Sequence, residues 1–200
     1  MKLHYMGKYN LDPNSLPHGE HKDGAVKFDE PENTAELAKK TSGISLVLLA
    51  FLFTALLYRC GNPPSKHWLI GMVLFVVAML PHELLHAINF KGDVYLYTNL
   101  AQGMLFVVGP EDMSKGRFIF MSLLPNFVFG LVPFVVALIM PQYAWLGIFG
   151  ALSLTAGAGD FYNVYNAITQ MPKGARTYLY KMNSYWYAAG AASCSEQRKP

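Results

Sequence analysis

His82, Glu83 and His86 stand in the stretch PHELLHAI at positions 81–88. On a helix, residues four apart lie one turn above the other on one face, so His82 and His86 turn two imidazoles towards the same point. H-E-x-x-H is the spacing of a zinc site in which two histidines bind the ion and the glutamate handles the proton of an attacking water. A catalytic zinc takes three protein ligands and keeps one position open. A further ligand must therefore come from another part of the chain.

The element that carries the motif is the run Trp68–Phe90, which is apolar up to Pro81. Ionisable side chains in a segment of membrane length are costly to place in lipid and mark function. Within a helix, Pro81 leaves a carbonyl one turn earlier without its usual donor and can bend the axis beside the histidines.

Composition agrees with a membrane setting. Of 200 residues, 52% are hydrophobic and 14% charged, against roughly 25% charged in a soluble globule. Mean hydropathy is positive, and the apolar residues come in long blocks. The net charge of +3 comes from 16 basic and 13 acidic residues, almost all outside those blocks. No dense basic run with interleaved aromatics occurs, so nucleic acid is not an expected partner. Cys60 and Cys194 stand in unlike settings and define neither a disulfide framework nor a thiolate metal site. No apolar stretch of signal-peptide type follows Met1 in the first thirty residues.

The blocks predict an all-α polytopic membrane protein with four transmembrane helices. They divide the chain into a polar segment over 1–40, a transmembrane metallopeptidase domain over 41–170, and a polar tail over 171–200. Lys2 to Tyr9 reads as a short strand or a surface-bound segment, and His18 and His21 as exposed. Asn33 or Thr34 reads as a helix cap. The first span covers about 44–58, extending back towards Thr41, and the second Trp68–Phe90. The third covers about 118–140, with Pro125, Asn126, Gly130 and Pro133 inside it. The fourth covers about 143–168 and is rich in small residues that permit close helix approach. Between the second and third, Val94–Tyr97 and Met104–Val108 read as a hairpin at the membrane surface, whose open edge could take up an extended peptide. Residues from Ser193 onward read as frayed.

Basic residues set the orientation. Lys39, Lys40, Lys91, Lys115, Arg117, Lys173, Arg176 and Lys181 fall on one side of the spans, and Arg59 and Lys66 on the other. Both termini are therefore expected in the cytoplasm. With spans two and four running the same way, His82 and His86 lie about 21 and 27 Å along their helix and Asp160 about 26 Å along its own. Apart from Glu83, Asp160 is the one acidic residue inside an apolar block. The expected site is zinc on His82, His86 and Asp160, with Glu83 as general base. Asn126 is a candidate donor to the developing oxyanion. Asn163 and Asn89 are candidates for orienting the ligands.

PHELLHAI at 81–88, SLLPN at 122–126 and GAGD at 157–160 resemble the DUF3267 family of zincin peptidases, a group related to the site-2 class of intramembrane zinc proteases. The resemblance covers roughly residues 65–170. In the site-2 class, H-E-x-x-H lies in one membrane helix and an aspartate from a later helix completes the zinc site, roles that His82, Glu83, His86 and Asp160 match. The class also has an asparagine in a helix between them, after a Gly-Pro pair. Here Pro125-Asn126 lacks that glycine, and Gly159-Asp160-Phe161 stands in place of Leu-Asp-Gly. The resemblance implies hydrolysis of membrane proteins or peptides near the cytosolic face. The alternative is a non-catalytic membrane scaffold or regulatory protein with a relict metal site.

Overall fold

A computed structural model of the chain describes residues 1–31 and 34–188. The chain forms two compact units, Asn33–Leu85 with Ser122–Asn163, and Met1–Glu32 with His86–Met121 and Val164–Pro200.

The first unit is helical. Helix α1 (Thr34–Cys60) is followed by α2 (Ser65–Ala87). Gly61 closes α1 at φ +69°, its N–H on the Leu57 carbonyl at 2.9 Å, the left-handed stop that glycine makes without strain. Next come α3 (Lys115–Pro125), a π-helical stretch Asn126–Leu131, and α4 (Val132–Ile139). Last are α5 (Ala144–Ala156) and α6 (Ala158–Gln170); residues 86–87 of α2, 115–121 of α3 and 164–170 of α6 fall in the second unit. Among the described residues three helical stretches, Lys39–Cys60, Ser65–Ala87 and Lys115–Ile139, are long and apolar enough to cross a membrane. Their outward faces are apolar, with Val47 72% and Val76 63% exposed, a surface suited to lipid. The core joins Leu52 and Leu56 of α1, Phe134 and Ala137 of α4, and Ile148, Ala151 and Leu154 of α5. The α4–α5 approach needs Gly150, where a Cβ would lie 2.5 Å from the Gly130 carbonyl oxygen.

The second unit carries seven strands: β1 (Lys2–Lys8), β2 (Val26–Lys27), β3 (Asp93–Asn99), β4 (Met104–Val108), β5 (Met113–Ser114), β6 (Ala175–Tyr180) and β7 (Asn183–Ala188). One sheet has the order β1-β3-β4, with β1 parallel to β3 (Lys2 opposite Asp93) and β4 antiparallel to it (Tyr97 opposite Phe106). The other has the antiparallel order β2-β7-β6-β5, with Val26 opposite Trp186. Ala87, Phe90, Val94 and Met113 form a cluster against which Val107, Phe118 and Met121 pack.

The expected all-α fold with four transmembrane helices is overturned. Two sheets are present, and among the described residues three rather than four helices have the length and hydropathy of a span. The stretch expected as the fourth span is split at Gly157 into two helices of 13 residues each. Each rises about 20 Å, short of a hydrocarbon core of about 30 Å. The hairpin expected between the second and third spans is present as β3–β4. The stretch 171–188, expected as a plain polar tail, holds the β6–β7 hairpin, turned at Lys181 with φ +57°. Asn33 as a cap, Cys194, and the fraying from Ser193 onward lie outside the described residues.

Candidate metal centre

His82, Glu83 and His86 occupy the last turns of α2, and one ligand atom from each lies within 4.8 Å of the others. The helix itself produces this grouping, because i, i+1 and i+4 share a face. His86 is 8% exposed. Its Nδ1 is 2.9 Å from the Met121 carbonyl oxygen. A carbonyl only accepts, so Nδ1 carries the proton and Nε2 keeps its lone pair for a metal.

Asp160 sits in the first turn of α6, where free amides at the helix start favour a carboxylate. Its Oδ2 is 3.3 Å from His82 Nε2, both side chains being 17% exposed. Two ligands bound to one zinc at 2.0–2.1 Å with tetrahedral angles stand about 3.3 Å apart. The pair is thus spaced as one edge of such a site. The donor set, two imidazoles and a carboxylate, is also one that zinc accepts. The residues present fit the metal.

Asn126 begins the π-helical stretch and is 2% exposed. Its Nδ2 donates to Asp160 Oδ2 at 2.7 Å and to the Ser122 carbonyl at 3.1 Å. Both amide hydrogens are so committed, and none is left for a substrate oxyanion in this arrangement. The amide lies directly against Gly157, where a Cβ would be 1.7 Å from Asn126 Oδ1. Only a glycine admits that contact, and it falls where α5 gives way to α6. Asn126 Oδ1 and Ser122 Oγ are both buried without a hydrogen-bond partner.

The chain leaving α2 is clamped. Arg117 Nε donates to the Asn89 carbonyl at 2.7 Å, and its Nη2 donates to the same oxygen. Nη2 also meets Glu111 Oε1 at 2.5 Å. The other oxygen, Oε2, accepts from the Lys91 and Gly92 amides at 2.8 and 2.6 Å. Burial works to raise the Glu111 pKa, but those two amides and the guanidinium together hold the carboxyl below its ordinary value. Asn89 thus enters through its backbone carbonyl. Asn163 lies one turn beyond Asp160 on α6. His18 and His21 pack on tyrosines, His18 on Tyr180 at 4.6 Å and His21 on Tyr180 and Tyr185 at 4.8 Å.

Gly157, Met121, Arg117 and Glu111 were not singled out from the sequence for any part in the site. Gly157 stood in plain view within AGAGD, but its small size read as helix packing. Met121 acts through a backbone carbonyl and leaves no trace in residue type. Nothing in the polar link tells which backbone groups Arg117 and Glu111 will hold.

The sequence profile of the DUF3267 family, described as "putative zincin peptidase", matches residues 74–176, just over half of the chain. The matched region includes His82, Glu83, His86, Asn126 and Asp160. No curated protein and no solved structure matches the chain.

Proposed function

The chain belongs to the DUF3267 family of zincin peptidases, and from that membership we propose that it is a membrane-embedded zinc metallopeptidase cleaving peptide bonds of membrane-associated substrates near the cytoplasmic face. The observation that carries the residue assignment is the 3.3 Å approach of Asp160 to His82. It supports His82, His86 and Asp160 as the ligands. A zinc ion held by these residues would supply Lewis-acid polarisation of the scissile carbonyl and of an attacking water. Glu83, adjacent to His82, takes the proton of the attacking water and delivers it to the leaving amide nitrogen. Met121 fixes the tautomer of His86. Asn126 acts through Asp160, as a positioning residue.

Substrate capture draws on the first sheet. Strand β4 is an edge of the three strands, and its Val107 packs in the cluster containing Ala87, the residue after His86. An extended peptide that pairs with this edge would run beside the end of α2 with its backbone hydrogen bonds satisfied.

The strand pairings support an orientation. Pairing of β1 with β3 supports a common membrane side for the chain before α1 and the chain after α2. Pairing of β2 with β7 supports the same side for the residues beyond α6. The chain between α3 and β6 therefore leaves and returns. Lys39, Lys40, Lys91, Lys115, Arg117, Lys173, Arg176 and Lys181 would lie on this side, which supports its being the cytoplasmic one.

The test is Glu83→Gln in the purified protein. Zinc should remain bound while peptide hydrolysis falls by about 10²–10⁴-fold. Hydrolysis at the parent rate would overturn the mechanism.

A further inference from the structure

A groove of about 860 Å³ lies in the helical unit between α1 and the α5–α6 pair, lined by Lys40, Gly43, Val47, Phe51, Leu154 and Phe161 among others. Its walls are apolar except at one end. There the Lys40 ammonium is 3.1 Å from the Tyr162 hydroxyl and 4.7 Å from the centre of its ring. Lys39 immediately precedes it on the helix and is exposed. Glu36, one turn earlier, offsets only one of these two charges. From Lys40 to Phe51 the helix rises about 16 Å, close to half of a hydrocarbon core of about 30 Å. The groove thus spans one leaflet, with its cationic end where the apolar helix begins.

We propose that this groove is a binding site for one anionic phospholipid of the cytoplasmic leaflet. One acyl chain lies along Val47, Phe51, Leu154 and Phe161, and the phosphate is met by Lys40. Charge complementarity and depth select this occupant. In the orientation proposed above, on which this inference rests, the basic end faces the leaflet that carries anionic lipid, and the apolar length is that of a single leaflet. Gly43 leaves the space near the cationic end, since a Cβ there would meet nothing within 4 Å. Filling it blocks the groove without disturbing the helix packing.

The test is lipid retention by the detergent-purified full chain, read by native mass spectrometry during titration with phosphatidylglycerol or phosphatidylcholine. It needs neither zinc nor turnover, so its outcome is separate from that of the peptidase reading. The parent should hold one phosphatidylglycerol in preference to phosphatidylcholine. Lys40→Gln should lower affinity for phosphatidylglycerol roughly fivefold and remove the preference. Gly43→Trp should lose both lipids. Lys66→Gln, at the other end of the spans, should bind as the parent does, and inorganic phosphate alone should not displace the lipid. Equal retention of the two lipids by the parent, or a preference untouched by Lys40→Gln and Gly43→Trp, would overturn the proposal. So would displacement by inorganic phosphate.

Discussion

His86 and Asp160 are held in opposite ways. His86 leans on a backbone carbonyl, that of Met121, and the chain just beyond it is clamped by Arg117 and Glu111. Asp160 leans on a side chain, the Asn126 amide, which reaches it only because residue 157 has no Cβ. A backbone acceptor survives substitution of its own residue. A side-chain donor seated on a glycine depends on two residue identities at once. The aspartate arm is therefore the fragile one, and substitutions should reveal the asymmetry.

The largest effect is expected at Gly157. Gly157→Ala puts a methyl where Asn126 Oδ1 now sits, costing about 1–3 kcal/mol of overpacking and displacing the amide from Asp160. Zinc affinity should fall about 100-fold, the upper end for loss of an orienting group, with a lowered Tm. Asn126→Ala should fall within about 10–100-fold in zinc affinity without the overpacking cost. In the double variant the effects on zinc should not add, because both act through one hydrogen bond. Additive losses would show that Gly157 acts on the metal by some other route.

The histidine arm should respond less. Glu111→Gln removes a charge held by two amides and a guanidinium and should cost about 1–2 kcal/mol at pH 7. The folded carboxyl lies below its unfolded value of about 4.3, so its contribution is full above that value and is lost as pH falls through the folded value. The Tm gap between parent and variant should thus close below about pH 4. A gap that widened in acid would contradict the clamp. Smallest of all, Met121→Leu keeps the carbonyl and should leave zinc affinity within about twofold. A loss as large as that of Asn126→Ala would erase the contrast between the arms.

The two arms also differ in how far they could be read from sequence. H-E-x-x-H shows itself because a helix turns i and i+4 to one face, and Asp160 shows itself because a carboxylate in an apolar block needs a partner. The break before Asp160 did not show. Gly157 is one of several small residues in that stretch, and its role depends on a side chain from a different helix. The sheets were hidden for a related reason. Strand β1 pairs with β3 across the whole of α1 and α2, and the two residues of β2 pair with β7 near the far end of the chain. Such pairings leave no local signature. The β3–β4 hairpin, whose partners are neighbours in sequence, could be read. The β6–β7 hairpin is also local, and its aromatic residues, Tyr178 and Tyr180 in one strand and Tyr185, Trp186 and Tyr187 in the other, were a usable sign that the polar surroundings obscured.

Metal content per chain bears most directly on the central claim that two separate helices supply the ligands. It would be measured on the detergent-purified protein beside His82→Ala and Asp160→Ala, with folding of each checked by its Tm. The account predicts close to one zinc per parent chain and loss of that zinc in both variants. A folded Asp160→Ala protein holding zinc as the parent does, or a folded parent that takes up none when zinc is supplied, would contradict it.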